Sequence, residues 1–345
     1  MTVIDAGSPS ASAPTPGPGS GADLATGRRR RPGRIHGNPV VPWLFMAPFL
    51  IIFGGFVLLP AVYGIYISMH DWDFTLPGRP FVGLQNYKDL FDPEAVVSQP
   101  FWTGMKNTGL FVLFSVPFLV SLPLALALLL NREFPGRTFF RATFFAPYVL
   151  GVSVIGVMWK YLLDGNFGFI NHLFGTHIAW TTDQPWAWIS LVGVTIWWTI
   201  GFNAIIYMAG LADIPEEHYE AASLDGANAW DKFVHITLPG LRPVLIFIFI
   251  TTLLASANMF GQSYMITNGG PTESTRTVLM VMTDLGFAQS RAGAAAAQSY
   301  VLALCLAVVS VVQFWLMRDR GAAAEKKAAR RAAKKFRAEQ KAGAR

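Results

Sequence analysis

The sequence comprises 345 residues, of which 52% are hydrophobic and 14% charged, with a mean hydropathy of +0.39 and a formal net charge of +6. Because soluble domains carry about 25% charged residues, this composition excludes an ordinary soluble domain and indicates an integral membrane protein. The single cysteine, Cys305, excludes an intramolecular disulfide, and the six histidines include no pair at metal-ligand spacing, so no metal site is expected.

The first 40 residues form a tail that is rich in Pro, Gly, Ser and Ala and contains an arginine cluster at 28–31. Such a composition cannot bury a core and predicts a disordered basic segment. The apolar run that follows, at 43–68, is longer than the apolar region of a signal peptide and has no small-residue cleavage site close behind it. We therefore interpret it as an uncleaved first spanning helix.

Six apolar runs are long enough to cross about 30 Å of hydrocarbon at roughly 1.5 Å per residue. They predict an all-α integral membrane protein with six transmembrane helices and a transmembrane domain over residues 41–317. The runs lie at 43–68, 108–130, 142–159, 187–209, 244–264 and 298–317.

Basic residues are distributed unevenly between the connections. The tails and the even-numbered connections are rich in Lys and Arg, with eleven in residues 318–345 alone, whereas the odd-numbered connections combine few basic residues with many acidic ones. Because connections rich in Lys and Arg stay in the cytoplasm, both termini and the segment 213–243 are predicted to be cytoplasmic. The tail at 318–345 is expected to be a solvated helix or one bound to lipid headgroups and attracted by anionic lipid. No nucleic-acid reader or nucleic-acid partner is expected.

Residues 213–243 form a polar interruption between the predicted helices four and five. Asp213 and Pro215 predict the start of a helix, and its first turns contain several acids, which the helix dipole favours there. Gly226 predicts the end of this helix, because glycine tolerates the left-handed conformation that terminates many helices.

A second short helix is predicted after this glycine. Asn228 can cap its start, and Pro239 and Pro243 are expected to end it. One face is apolar at the spacing i, i+3, i+4 and i+7 and comprises Trp230, Phe233, Val234 and Thr237. A helix–glycine–helix with an apolar stripe, held beside a membrane, is typical of a docking element.

The centres of the six runs contain no Asp, Glu, Lys or Arg. Ion-coupled carriers place ionisable groups there because the movement of charge is their mechanism, so this pattern favours a neutral cargo and an external source of energy. The sequence has no phosphate-binding loop of the G-x-x-x-x-G-K-[ST] type, so we expect it not to bind ATP itself. We also expect no enzymatic activity in this chain.

Polar and aromatic side chains recur in the predicted helices four and five. Amides and hydroxyls can hydrogen-bond a polyhydroxylated ligand, and aromatic faces can pack against a sugar ring. The same side chains could instead only link helices, and for any single residue that alternative stays open. The candidate substrate-pathway residues are Trp197, Asn203, Tyr207, Thr251, Ser256, Asn258, Gln262 and Tyr264.

An ordered set of motifs identifies a family. The segment 213–243 contains EAA, two residues later DGA, and eight residues later ITLP, and this set resembles the EAA loop of bacterial ABC-import permeases. The match is strongest with the first membrane subunit of maltose- and glycerol-phosphate-type systems and covers about residues 40–317. Supporting motifs are GLQNY at 83–87, RATFFAP at 141–147, GFIN at 168–171 and NGGPT at 268–272. Where such permeases often carry Asp, this sequence has Gly261.

The resemblance implies the transmembrane domain of a type I ABC importer in the bacterial cytoplasmic membrane, carrying a sugar by alternating access. It implies a second homologous permease, a pair of ATPase subunits and an extracytoplasmic sugar-binding protein as partners, with ATP and Mg on the ATPase and no cofactor on this chain. The residues expected to couple to the ATPase are Glu220, Ala221, Ala222, Asp225, Gly226, Ala227, Ile236, Leu238 and Pro239. A stand-alone carrier or channel for a small polar solute is the alternative.

Overall fold

The computed structural model describes residues 40–317, so the predicted tails at 1–40 and 318–345 lie outside the described residues, except for Val40. Four π-helical turns, at Gly54–Leu58, Phe233–Thr237, Ser263–Thr267 and Asp284–Ala288, join or extend the α-helices. The α-helices of this range are α1 (Val40–Phe53), α2 (Leu59–Ser68), α3 (Gln85–Phe91), α4 (Ser98–Leu130), α5 (Arg137–Val149), α6 (Val152–Leu162), α7 (Phe169–Phe174), α8 (Trp186–Ala212), α9 (Glu216–Leu224), α10 (Ala229–Lys232), α11 (Leu238–Gly240), α12 (Arg242–Ala257), α13 (Val278–Thr283) and α14 (Ala292–Met317).

The chain divides between Val57 and Leu58 into two compact units. The described part of the first unit contains α1, an apolar helix in which the rings of Phe49 and Phe53 stack with their centroids 5.7 Å apart. The second unit contains α2 to α14 and all the sites described below.

Four helical stretches are long and apolar enough to cross a membrane: Val41–Ser68, Ser98–Leu130, Trp186–Ala212 and Ala292–Trp315. Two further stretches pass the same test only as bent pairs of helices. They are Arg137–Val149 with Val152–Leu162, bent by 99°, and Ala229–Gly240 with Arg242–Ala257, bent by 67°. The described residues therefore contain four to six candidate spans, depending on whether each bent pair crosses as one.

The predicted third helix, 142–159, is wrong as a continuous element. It is interrupted at Leu150 and Gly151, where the backbone is extended with ψ values of 138° and 148°. Pro147, in the last turn of α5, has no N–H to donate to a helix. An apolar composition does not reveal this break, because the run stays apolar across it.

The predicted fifth helix, 244–264, is also wrong as a continuous element. Helix α12 ends at Ala257, and the side-chain amide of Asn258 donates a 2.8 Å hydrogen bond to the carbonyl oxygen of Leu254. Asparagine side chains that bond to nearby backbone offer it an alternative to the helix. The residues beyond this point therefore do not share one face with those of α12.

Helix α4 is the central element of the second unit. It packs against α8, α12 and α13, and the buried side chains of Phe101, Phe111 and Ala127 each belong to a different apolar cluster along its length. Asn107 donates hydrogen bonds of 2.8 and 3.0 Å to the carbonyl oxygens of Glu273 and Arg276. One long helix thus fixes both the core and the loop at 268–277.

Helices α5 and α8 cross at very short range because Gly201 lacks a side chain. A Cβ added at Gly201 would lie 2.0 Å from the carbonyl oxygen of Phe144, whereas one added at Gly193 of the same helix would meet nothing within 4 Å. Small residues permit this close approach between membrane helices.

We expect Gly201→Ala to destabilise the protein, because the new methyl group forces α5 away from α8. Overpacking costs roughly 1–3 kcal/mol, so the midpoint of thermal unfolding in detergent, followed by size-exclusion chromatography after heating, should fall by several degrees. Gly193→Ala is the matched control and should leave the midpoint unchanged or raise it slightly. Equal midpoints for the two variants would contradict the close crossing.

Candidate functional site

A cavity of about 430 Å³ opens between α4, α5, α8 and α12, and we call it the central cavity. Its eighteen lining residues include hydroxyls, amides and aromatic rings but no Asp, Glu, Lys or Arg. An apolar pocket with a few convergent polar groups is the usual form of a small-molecule site. This wall can hydrogen-bond a neutral polar ligand and supplies no charge to neutralise an ionic one.

Asn203 is the best anchored polar group of the central cavity. Its side-chain amide is buried and donates hydrogen bonds of 3.1 Å to the carbonyl oxygen of Leu119 and 3.4 Å to Oγ1 of Thr252. A second link between helices joins Ser115 and Ser256, whose hydroxyls lie 3.4 Å apart. These groups therefore link α4, α8 and α12, and three of them, Asn203, Thr252 and Ser256, also line the central cavity.

An aromatic wall stands on the α5 and α8 side of the central cavity. The rings of Tyr148 and Phe202 stack with centroids 4.3 Å apart and an interplanar angle of 12°. Trp198 lies beside Tyr148 and donates a 3.2 Å hydrogen bond from Nε1 to the carbonyl oxygen of Leu150, at the break between α5 and α6. Sequence reasoning missed Tyr148 and Phe202, because an aromatic residue in an apolar run carries no signal of which face it occupies.

The predicted substrate-pathway residues divide between the central cavity and other places. Trp197 packs edge-on against Trp159, with the ring centroids 5.3 Å apart. Tyr207 is fully buried in the apolar cluster that contains Ala127. Neither Trp197 nor Tyr207 lines the central cavity. Tyr264 lines a second cavity, described below. The residues that do line the central cavity are Asn203, Thr251, Ser256, Asn258 and Gln262.

Helix α9 of the segment 213–243 ends in a complete Schellman motif. The N–H of Ala227 donates to the carbonyl oxygen of Ala222 at 2.9 Å, and the N–H of Gly226 donates to that of Ser223 at 3.2 Å. Gly226 has a φ of +80°, as this helix termination requires. The predicted role of Gly226 in ending the first helix is confirmed.

The start of the second helix is confirmed as well. The Oδ1 atom of Asn228 accepts hydrogen bonds from the N–H groups of Trp230 and Asp231 at 2.9 and 3.0 Å, and Asp231 Oδ2 accepts from the N–H of Asn228 at 3.2 Å. This reciprocal pair is a capping box. It fixes the direction in which α10 leaves the turn.

The predicted start of the first helix is right for Pro215 but wrong for Asp213, and the second helix ends between Pro239 and Pro243, one residue after Pro239. Asp213 makes no cap to α9 and lies at the C-terminal end of α8, while Pro215 precedes Glu216 at the N-cap position. Pro239 does not end the second helix, which continues to Gly240. The preceding π-helical turn, Phe233–Thr237, widens the helix before the proline, so its missing N–H and its ring are accommodated.

The two helices are tied to each other and present an open outer surface. The hydroxyl groups of Tyr219 and Thr237 lie 3.0 Å apart, and Lys232 Nζ donates to Ser223 Oγ at 2.6 Å. The side chain of Leu224 is 90% exposed and that of Trp230 is 69% exposed. Of the predicted coupling residues, Ala222, Ala227 and Ile236 are half-buried, and the exposed ones are Glu220, Ala221, Asp225, Gly226, Leu238 and Pro239.

Known proteins match this chain over most of its length. Residues 94–319 match the family of binding-protein-dependent transport system inner membrane components. A probable ABC transporter permease protein of Pyrococcus horikoshii is 34% identical over 81% of this chain and 97% of its own length. The probable starch degradation products transport system permease protein AmyD of Thermoanaerobacterium thermosulfurigenes is 31% identical over 82% and 96%. The lactose transport system permease protein LacF of Rhizobium radiobacter is 32% identical over 81% and 94%.

A solved structure shares the fold. A chain of a bacterial ABC transporter involved in the import of the acidic polysaccharide alginate superposes with a TM-score of 0.69 and 22% identity, over 81% of this chain and 96% of that one. The family match spans well over half of the sequence, the relatives are named as permease proteins, and the described residues of this chain contain several long apolar helices. This chain therefore belongs to the family of binding-protein-dependent transport system inner membrane components, the multi-pass permease subunits of ABC transporters.

Proposed function

We propose that this chain is a permease subunit that carries a neutral sugar across the bacterial cytoplasmic membrane by alternating access, driven by a separate ATPase that binds the segment 213–243. Both termini and this segment are then cytoplasmic, as the distribution of Lys and Arg predicts. The domain boundaries at residues 41 and 317 are part of the same proposal.

The observation that carries the proposal is the exposed helix–turn–helix beside the spans. Leu224 and Trp230 are large apolar side chains that stand in solvent on a segment whose own backbone is fixed by a Schellman motif and a capping box. Exposed apolar side chains on a rigid element mark a protein interface. An ATPase is the partner that supplies the energy this chain cannot obtain from ion movement.

The segment is also placed to transmit movement. Helix α8 leads into α9, and α11 leads through Leu241 into α12, so the chain enters and leaves the segment by the two helices that carry the polar wall of the central cavity. A displacement of the segment would therefore move Asn203 on α8 and Thr252 on α12 relative to each other.

A neutral sugar fits the central cavity. The stacked rings of Tyr148 and Phe202 offer an apolar surface, and Asn258 and Gln262 offer amide donors and acceptors. Relatives are named for transport of starch degradation products, lactose and arabinooligosaccharides, which supports a saccharide as cargo here. The alginate transporter has also been solved in complex with an alginate pentasaccharide-bound periplasmic protein, which supports an extracytoplasmic binding protein among the partners.

The defining experiment is isolation of the intact assembly from membranes. We expect a second permease and an ATPase to co-purify with this chain, and the assembly in proteoliposomes to import maltotriose, lactose or arabinotriose only with ATP and the binding protein present. Uptake by the purified single chain without an ATPase would contradict the proposal and favour a stand-alone carrier.

We expect Gly226→Val to leave membrane insertion intact but to lower sugar-stimulated ATP hydrolysis and uptake by at least about fivefold, because a left-handed residue with a side chain costs roughly 1–2 kcal/mol. No atom lies within 4 Å of a Cβ at this position, so the effect is conformational and not steric. Both rates are measured on the reconstituted assembly.

Two control variants separate conformation from size at Gly226. Gly226→Asn should keep most of the coupling, since asparagine tolerates the left-handed region. Gly78→Val adds the same side chain at another glycine with open space and no left-handed φ, and should behave like the wild type. Normal coupled uptake by Gly226→Val would remove Gly226 from the coupling element.

We expect Phe202→Ala to raise the KM for sugar uptake by about three- to tenfold, because it removes one ring of the stacked aromatic pair. Ile205→Ala is the matched control, since Ile205 lies on the same helix with similar exposure (41% against 37%) and does not line the central cavity. Equal KM values for the two variants would contradict binding at this wall.

A further inference from the structure

A second cavity of about 380 Å³ lies beyond the end of α12 and is called here the loop cavity. One wall consists of Phe260 and Tyr264, and the rest comes from residues 268–288. Phe260 also lines the central cavity, so the two cavities share this ring as a common wall. No function considered so far uses the loop cavity.

The first wall of the loop cavity is aromatic. The rings of Phe260 and Tyr264 are nearly parallel, with an interplanar angle of 14° and centroids 5.2 Å apart. Tyr264 is 48% exposed, and a third ring at the cavity, Phe287, is 80% exposed. Exposed rings that line a cavity provide flat apolar surface for a ligand, and a phenolic hydroxyl adds a donor and acceptor.

The other wall is polar and carries one cation and two carboxylates. Arg276 hydrogen-bonds to a carboxylate oxygen of Glu273, and its Nη2 lies 2.9 Å from Asp284 Oδ2, which also accepts from Gln289 at 3.0 Å. The one cation is thus already paired with two carboxylates, and this trio has a formal charge of −1. An anionic ligand finds no free cation in the trio, whereas a neutral polyol can bond to carboxylate, guanidinium and the Asn268 amide.

This polar wall is held rigidly by buried hydrogen bonds. Asn107 of α4 donates to the carbonyl oxygens of Glu273 and Arg276. Thr275 Oγ1 lies 2.7 Å from Thr267 Oγ1 and donates to the carbonyl oxygen of Gly270 at 2.7 Å. A wall fixed in this way loses little conformational entropy when a ligand binds.

We propose that the loop cavity is a saccharide subsite that binds one neutral sugar unit next to the central cavity, with Tyr264 as its aromatic platform and the Glu273–Arg276–Asp284 trio as its polar wall. The inference rests on the proposed sugar transport and adds a second binding position on this same chain. It also specifies the cargo further, because the charge of the trio disfavours uronic-acid sugars.

The test measures protection of a reporter cysteine in the reconstituted assembly. The native Cys305 is first replaced by Ser, so that it does not react. Ala288 lines the loop cavity, and the substitution Ala288→Cys places a thiol there that reacts with a charged methanethiosulfonate reagent. We expect maltotriose, lactose or arabinotriose to slow this reaction at least threefold, and trigalacturonate to leave it unchanged. Val96→Cys, 83% exposed and outside the cavity lining, is the control and should show no protection.

Three further variants locate the bound sugar. Tyr264→Ala should abolish protection of Ala288→Cys, Tyr264→Phe should keep it, and Phe202→Ala in the central cavity should also keep it. Protection that survives Tyr264→Ala, that disappears with Phe202→Ala, or that trigalacturonate gives equally would overturn the loop-cavity subsite.

Uptake of the same sugars by the assembly separates this inference from the proposed function. Import of a sugar that does not protect Ala288→Cys overturns only the subsite. Protection by at least one sugar without import of any of the three supports the subsite and overturns the transport proposal. If none of the three sugars is imported and none protects Ala288→Cys, both the subsite and the transport proposal are overturned.

Discussion

The whole site depends on one constraint, which is that backbone groups freed where an apolar helix breaks must find a hydrogen-bond partner. The hydrogen bond from Trp198 Nε1 to the carbonyl oxygen of Leu150 satisfies this constraint at one break. Inside a bilayer an unpaired backbone group costs several kcal/mol, so a broken helix is tolerated only where protein or a polar cavity satisfies the freed groups. This chain breaks two of its apolar stretches, at Leu150–Gly151 and after Ala257. Residues at or beside both breaks, Val152 and Asn258 among them, line the central cavity.

The breaks therefore explain where the binding surface comes from. A straight helix presents side chains of one stripe to its neighbours, whereas an apolar stretch in which a helix ends exposes that end, with its amides and carbonyls, to the space between helices. Asn258 occupies such an end and Gln262 follows it, while Trp198 covers the other break. Polar groups thus line the central cavity between apolar helices without a single carboxylate or cation in its wall.

Sequence reasoning succeeded where the chemistry is local and failed where it depends on packing. Gly226 and Asn228 could be predicted because a left-handed turn and a capping box need particular residues at fixed offsets. Trp197 and Trp198 are neighbours in an apolar run, and only the crossing of α5 with α8 decides that Trp198 meets the cavity while Trp197 packs on Trp159. The second helix passes Pro239 by one residue, and the π-helical turn before this proline cannot be predicted from apolar periodicity. The six apolar runs nevertheless located the candidate spans, since composition alone decides which segments can enter hydrocarbon.

Gly261 connects these packing constraints with the nature of the cargo. A Cβ at this position would lie 2.6 Å from Cγ2 of Val152, at the start of α6. A side chain with a carboxylate would therefore have to displace the side chain of Val152 and would place a negative charge in the wall of a cavity whose other lining residues are neutral. Glycine leaves room for the broken third stretch, at 142–159, to pack against the fifth, at 244–264. The neighbouring Gln262 supplies an uncharged polar group to the cavity wall. The fit of these two stretches thus depends on glycine at a position where a carboxylate would charge the cavity wall, which supports the proposal of an uncharged sugar as cargo.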